Sequence, residues 1–196
     1  MGRGARATRA RPTDGRDPVL PLAILGFLAD EPLHGYQLKD RITGLTGHVK
    51  PVSDGALYPA IARLEAKGFV ERRPEPGSGA APRQVLTLTA AGREELDRRL
   101  REPTQTEITD RNRYFTLLAF LHRLEDPEAQ AAVLRRRLDF LTAPNVAFFF
   151  DQDGKPVRVE NAPTLFQRGM TQIARATSKA EREWLDAAIA ELEAAG

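Results

Sequence analysis

Three arginines lie close together in a segment that predicts two short strands joined by a loop. Arg72 and Arg73 fall in the first strand, and Arg83 immediately precedes the second. Guanidinium groups stay charged and form paired hydrogen bonds with phosphate oxygens. The connecting loop, residues 74–82, is rich in glycine and proline, which favours a projecting hairpin. The cluster indicates contacts with a phosphate backbone, and an ordinary basic hairpin is the alternative.

The helix predicted before this hairpin has two sides of very different character. The side opposite its apolar stripe is mostly small, and small residues let a helix backbone approach another surface closely. Tyr58 and Arg63 are its main long polar side chains, so direct base readout would be limited to one or two contacts of about 1 to 3 kcal/mol each. The apolar stripe consists of Leu57, Ile61 and Leu64.

The residue types do not support catalysis, cofactor binding or metal binding. The chain has no cysteine, which excludes disulfides and thiol nucleophiles. Its three histidines fall in unrelated settings, and we expect His34 to cap a helix or pack beside Tyr36. No zinc-protease, nucleophile-elbow, phosphate-loop or dinucleotide motif occurs. The Asp-x-Asp-Gly run from Asp151 lacks the later ligands of a calcium loop. We expect no enzyme, no cofactor and no metal site.

Length and charge bound the class of protein. The 196 residues carry a net charge of +2 and 41% hydrophobic residues, which suits one large domain or two small ones that share a core. The longest apolar run, residues 19–29, is too short to span a membrane and is interpreted as a core helix. We expect a cytoplasmic protein without membrane contact.

The predicted elements follow the order of a winged helix-turn-helix. Apolar periodicity predicts three helices, near residues 18–31, 35–45 and 53–67, followed by strands at 70–73 and 84–89. In this order the third helix can enter the major groove while the hairpin lies along the DNA backbone. We expect residues 18–102 to form this domain and residues 1–17 to form a disordered basic tail. An arm that reaches along DNA is the alternative for the tail.

Several stretches of this domain resemble the PadR family of bacterial transcriptional regulators. Two departures concern Ala56, where the family often has a hydroxyl residue, and residues 84–86, where it often has a basic residue and two aromatics. The stretches that carry the resemblance, over about residues 19–102, are Leu22–Leu28, His34–Leu38, Ser53–Ile61, Arg63–Glu65, Lys67–Glu71, Pro82–Arg83 and Leu88–Arg93.

The resemblance implies a homodimeric repressor that binds double-stranded DNA and releases its operator when a small molecule binds. It also implies that Tyr36 and Ser53 contact phosphates, that Tyr58 lies on the recognition helix and that Arg83 lies in the wing. Two-fold symmetry then predicts a pseudo-palindromic operator with half-sites a helical turn, or a multiple of it, apart. The alternative is a scaffold that docks proteins through Tyr58 and the small face.

Residues 103–196 are predicted to form a helical dimerisation and effector domain. The polar stretch 103–109 is the expected boundary, and helices are predicted at about 110–124 and from Pro127 to Leu141. Arg135, Arg136 and Arg137 are interpreted as a solvated helix face. Residues 146–159 read as a second short hairpin, with a loop or a helix as alternatives.

The chain is predicted to end in two helices, or in one jointed helix, because capping-box sequences begin at Thr164 and Ser178. The last part carries a wide apolar stripe that needs a partner surface. The resemblance suggests a second subunit. Packing on the helices predicted at about 110–124 and 127–141 of the same chain, the fifth and sixth of the sequence, is the alternative. The stripe contains Trp184, Leu185, Ala188, Ile189 and Leu192.

Aromatic residues of this half suggest where an effector could bind. A cavity between the DNA-binding domain and the dimer helices would take a small aromatic or apolar ligand. A plain hydrophobic core is the alternative. The candidate lining residues are Tyr114, Phe115, Phe148, Phe149, Phe150 and Trp184.

Overall fold

A computed structural model describes residues 19–45, 51–75, 83–143, 155 and 158–195. It is mainly helical and carries one small antiparallel sheet. The first half contains α1 (Val19–Asp30), β1 (Leu33–His34), α2 (Gly35–Leu45), α3 (Asp54–Ala66), β2 (Val70–Glu75), β3 (Arg83–Leu88) and α4 (Ala90–Arg101). The second half contains α5 (Gln105–Thr109), α6 (Arg111–Phe120), α7 (Pro127–Thr142) and α8 (Leu165–Ala195).

Helix α1 lies at the centre of the fold. It packs against α2, α3, α4, α6 and β3, and this explains why its apolar residues run almost all round the helix. A Cβ atom on Gly26 would lie only 2.5 Å from the Phe120 ring, so glycine permits the close approach of α1 and α6. One cluster of buried apolar side chains therefore continues through both halves of the chain.

The winged-helix order is confirmed, with one strand added. Helix α3 ends at Ala66, and Gly68 just beyond it has a φ of 73° that suits glycine; the inner stripe of α3 is buried as predicted. Strand β3 pairs with β2 on one side and, on the other, with β1, where Leu33 lies opposite Leu86. The sequence analysis missed β1 because two residues are too few to show a strand pattern. The wing is consequently a three-stranded sheet.

Capping interactions place the helices of the second half. Asp110 and Asp126 accept backbone hydrogen bonds at the starts of α6 and α7, as expected for these helices. The stretch expected to be a boundary contains α5, because Thr104 and Glu107 form a reciprocal capping box. A 3-10 turn at Leu121–Arg123 completes the predicted fifth helix. The domain limits at 102 and 103 stay a prediction.

Two expectations for this half need correction. Arg137 is not solvated: its side chain is buried and bonds to Glu181 on α8, whereas Arg135 is exposed. Arg137 lies among the apolar positions of α7. Its guanidinium is buried there because it pairs with Glu181, which is itself nearly buried. Val159 belongs to a 3-10 turn, Val159–Asn161, and not to a strand. The rest of the predicted hairpin lies outside the described residues, except for Lys155 and Arg158.

Helix α8 is one continuous helix of 31 residues without a break at Ser178. Thr164 caps the start of α8 by accepting a hydrogen bond from the Gln167 backbone N–H. The capping-box sequence at Ser178 lies inside the helix and does not begin a new one. Along one side α8 packs against α7. No helix in the described ranges has the length and hydropathy that a membrane span requires.

Candidate nucleic-acid interface

The α3 face, defined as the exposed side of α3, has the composition expected from the sequence. Tyr58 is 43% exposed and Arg63 is also exposed. Ion pairs join most cations around this face to carboxylates, but within the described part of the chain Arg63 has none. The other members of the α3 face are small: Gly55, Pro59, Ala62 and Ala66. The helix can therefore approach a surface closely, with two polar side chains projecting from it.

A cleft of about 470 Å³ brings three predicted contact residues together, namely Tyr36 from α2, Tyr58 from α3 and Arg72 from β2. Gly35 also lines this cleft. A Cβ atom there would lie 3.2 Å from the Tyr58 ring, so glycine permits the close approach of Tyr58 to α2. The His34 and Tyr36 rings stack with their centroids 5.6 Å apart, which confirms the expected packing. Both tyrosines consequently lie on one surface beside the wing.

Histidine 34 connects the start of α2 with the wing. Its Nδ1 donates to the carbonyl oxygen of Gln84 at 3.1 Å, and its backbone N–H donates to Oε1 of Gln37. These bonds orient the ring on which Tyr36 stacks. Only capping or packing could be expected of His34 from the sequence, since a long-range contact with Gln84 leaves no local pattern.

Two of the wing arginines are exposed but hold carboxylate partners. Nε of Arg72 donates to Oε1 of Glu65 on α3 at 2.7 Å, which ties the wing to that helix. Arg73 pairs with Glu71 on its own strand. Arg83 lies opposite Glu75 in the strand register, and its side chain is outside the described part. The register thus places all three positions on β2 and β3, two of the three strands of the wing.

The N-terminus of α3 carries a second group of polar residues. The hydroxyl of Ser53 makes no capping bond, and its side chain is exposed. Nζ of Lys39 donates to Oδ1 of Asp54 at 2.7 Å, and this hydrogen bond raises the pKa of Lys39. The sequence analysis missed Lys39, although its position three residues after Tyr36 places both on one side of α2.

The predicted dimer stripe divides between two environments. Leu185 and Ile189 are buried within the chain, where Ala188 and Leu192 also pack against the core. This is the intrachain packing that the sequence left open as an alternative, and α7 supplies the partner surface. Trp184, by contrast, is 48% exposed.

An aromatic groove, here called the α6–α8 groove, runs beside Trp184. Its volume is about 540 Å³, and Tyr114, Phe115 and Leu118 contribute to its wall. The Tyr114 hydroxyl is buried and has no hydrogen-bond partner among the residues that the structure describes, and burial raises its pKa. Arg111 lies over the Phe115 ring at 5.1 Å. The candidates Phe148, Phe149 and Phe150 are outside the described residues.

The fold and the α3 face define a winged-helix protein of the DNA-binding class. Within the described ranges, no set of three carboxylate, imidazole or thiol side chains could hold a metal ion. This class is consistent with what the comparisons with known proteins show.

The family model of the transcriptional regulator PadR-like family matches residues 24–98. Transcriptional regulator Rv3488 of Mycobacterium tuberculosis is 39% identical over 89 residues, which are 44% of this chain and 79% of that protein. The chain belongs to the PadR-like family of transcriptional regulators.

Two further similarities are weaker, the first in coverage and the second in identity. A 37.1 kDa protein in transposon TN4556 of Streptomyces fradiae is 43% identical over 77 residues, or 39% of this chain. The matched part spans only 21% of that protein. The structure of Bacillus subtilis PadR in complex with operator DNA is 22% identical, with coverage of 89% of this chain and 99% of that one and a TM-score of 0.40.

Proposed function

We propose that this protein is a sequence-specific repressor that acts in the cytoplasm as a homodimer on a pseudo-palindromic operator. The α3 face carries the proposal: it is a nearly bare helix surface with Tyr58 and Arg63, and Tyr36 and Arg72 line the cleft beside Tyr58. Phosphate contacts from the flanks would supply most of the affinity. Tyr58 and Arg63 would supply the limited base readout, and symmetry and DNA shape the rest.

Fluorescence anisotropy with the DNA upstream of the protein's own gene tests this function. Arg72→Ala and Arg73→Ala should weaken binding about equally for all sequences and flatten the salt dependence, whereas Arg63→Ala should change the preferred sequence. Arg135→Ala is a suitable control, because it removes an exposed arginine of α7. The assignment would be contradicted if the wild-type protein bound no genomic fragment, or if the wing variants kept the affinity and salt slope of the wild type.

For the dimer, the relevant surface is the exposed stripe of α8. Phe166 is 84% and Ile173 is 69% exposed; Met170 lies between them on the same side, and Trp184 returns to that side about three turns after Ile173. Apolar side chains in such a row are costly to leave in water. The second copy of this helix is a partner with the matching pattern. Leu185 and Ile189 would support the interface from behind, by fixing α8 on α7.

Sedimentation velocity of two glutamate variants checks the dimer. Ile173→Glu places a charge in the stripe and should produce monomers, whereas Gln172→Glu adds the same charge about 100° round the helix and should leave the dimer intact. A monomeric wild-type protein at micromolar concentration would refute the interface.

The α6–α8 groove is proposed as the site of a small aromatic effector with one hydrogen-bonding group. Its apolar wall suits an aromatic ring, and its lining includes Tyr114, whose buried hydroxyl has no hydrogen-bond partner among the described residues and could be uncovered by a small shift of the wall. A thermal-shift screen of phenols and aromatic acids should find ligands that lower operator affinity by about 5- to 150-fold. Tyr114→Phe should weaken this response without changing DNA binding in the absence of ligand. Hits that bind Tyr114→Phe equally well would exclude the site.

A further inference from the structure

The ion pair between Lys39 and Asp54 lies on the surface that is proposed to meet DNA. Lys39 is on α2, three residues after Tyr36, and Asp54 is the first residue of α3. The two side chains are 33% and 65% exposed, so solvent and a ligand can reach both partners. A carboxylate at the leading end of the recognition helix repels phosphates, unless a cation neutralises it.

We propose that Lys39 contacts a DNA phosphate and that Asp54 limits the affinity by holding the Lys39 ammonium group in the free protein. This inference rests on the proposed DNA-binding function. In helix-turn-helix proteins the helix before the recognition helix crosses the DNA backbone, and Lys39 is on that helix. The ammonium needs only to rotate from the carboxylate to a phosphate oxygen, since a lysine side chain carries a compact charge on a flexible stem.

The same arrangement recurs at the wing, which supports a general feature of this surface. Arg72 is held by Glu65 and Arg73 by Glu71, so each of these cations must also leave a carboxylate before it can bind a phosphate. Arg63, the cation in the middle of the α3 face, has no such partner within the described ranges. In the free protein the flanking cations are thus paired with carboxylates. Arg63 can contact a base without first leaving a carboxylate of the described residues.

Two variants test the transfer in opposite directions, by anisotropy on one operator fragment at 50 to 200 mM salt. Asp54→Asn keeps the size of the side chain and removes the competing charge, and we expect about two- to fivefold tighter binding at 100 mM salt. Lys39→Ala should reduce the salt slope by about 0.9 per bound subunit, which is roughly a threefold smaller loss of affinity over this range. Circular dichroism shows whether each variant is folded.

Arg41→Ala provides the matched control. Arg41 is on the same helix, two residues or about 200° from Lys39, and pairs with Glu31 at similar exposure. Its loss should leave the salt slope unchanged.

The outcomes distinguish the transfer from a structural ion pair and from a failed function. A structural pair that only orients α3 predicts weaker binding by Asp54→Asn and an unchanged slope for Lys39→Ala, and either result overturns the inference. If the wild-type protein binds no DNA at all, the proposed function itself fails and this inference falls with it. Lys39→Gln, which keeps a polar side chain of intermediate length without the charge, should reproduce the slope of Lys39→Ala.

Discussion

Replacing Arg137 by methionine should destabilise this protein far more than any change at a neighbouring arginine. Nε of Arg137 donates to Glu181 on α8 at 2.7 Å, while its Nη1 donates to the carbonyl oxygens of Ile108 and Thr109 at 2.6 and 3.1 Å. The guanidinium also lies 4.7 Å from the centre of the Tyr114 ring. One side chain therefore joins α5, α6, α7 and α8.

The burial of this pair sets the magnitude. The side chains of Arg137 and Glu181 are only 3% and 12% exposed, so removal of the arginine leaves a carboxylate and two carbonyl groups with little access to water. Breaking a buried ion pair from one side costs about 3 to 5 kcal/mol of the free energy of unfolding. The Arg135 pair with Glu193 has side chains that are 43% and 52% exposed, and its loss should cost no more than about 1 kcal/mol.

Urea unfolding followed by circular dichroism measures both values, at one protein concentration because a dimer's stability depends on it. Arg137→Met and Arg135→Met should differ by at least about 2 kcal/mol. Adding Glu181→Met to Arg137→Met should recover part of the loss, since the unpaired charge is then absent. Equal costs for the two single variants would refute the reasoning, as would a double variant that is less stable than Arg137→Met.

Three further predictions concern stability. Gly92→Ala places a Cβ atom 2.1 Å from the Phe69 carbonyl oxygen and should cost about 3 kcal/mol or more in urea unfolding, whereas Gly44→Ala, whose Cβ atom would have no described neighbour within 4 Å, should gain up to about 1 kcal/mol. The Arg98 hydrogen bond lowers the pKa of Glu95 to about 2, so its stabilisation is complete above the unfolded pKa of 4.5 and is lost as pH falls toward 2. The difference in unfolding free energy between wild type and Glu95→Gln should therefore shrink between pH 6 and pH 3, and a constant difference would contradict this. Thr89→Ala removes a helix cap and should cost about 1 to 2 kcal/mol, whereas Ser53→Ala should leave the melting temperature unchanged but weaken DNA binding.

The candidate interface was predictable where it depends on helix periodicity. The stripe of Leu57, Ile61 and Leu64 fixes which side of α3 is buried, and the opposite side with Tyr58 and Arg63 follows from a repeat of 3.6 residues per turn. The pairing of Lys39 with Asp54 and the contact of His34 with Gln84 escaped prediction, because the partners are 15 and 50 residues apart in the chain. Contacts at such separations leave no trace in local spacing.

The sequence by itself determined the order of helices and wing, the helix cap at Thr164 and the absence of thiol chemistry, because each of these depends on residue types over a few positions. Tertiary structure decided which apolar stripe of α8 is covered: Leu185 and Ile189 face α7, whereas Phe166 and Ile173 stay exposed. It also decided that Arg137 is buried and Arg135 is not. Both outcomes depend on which helices pack together, and burial is a property of that packing rather than of any single segment.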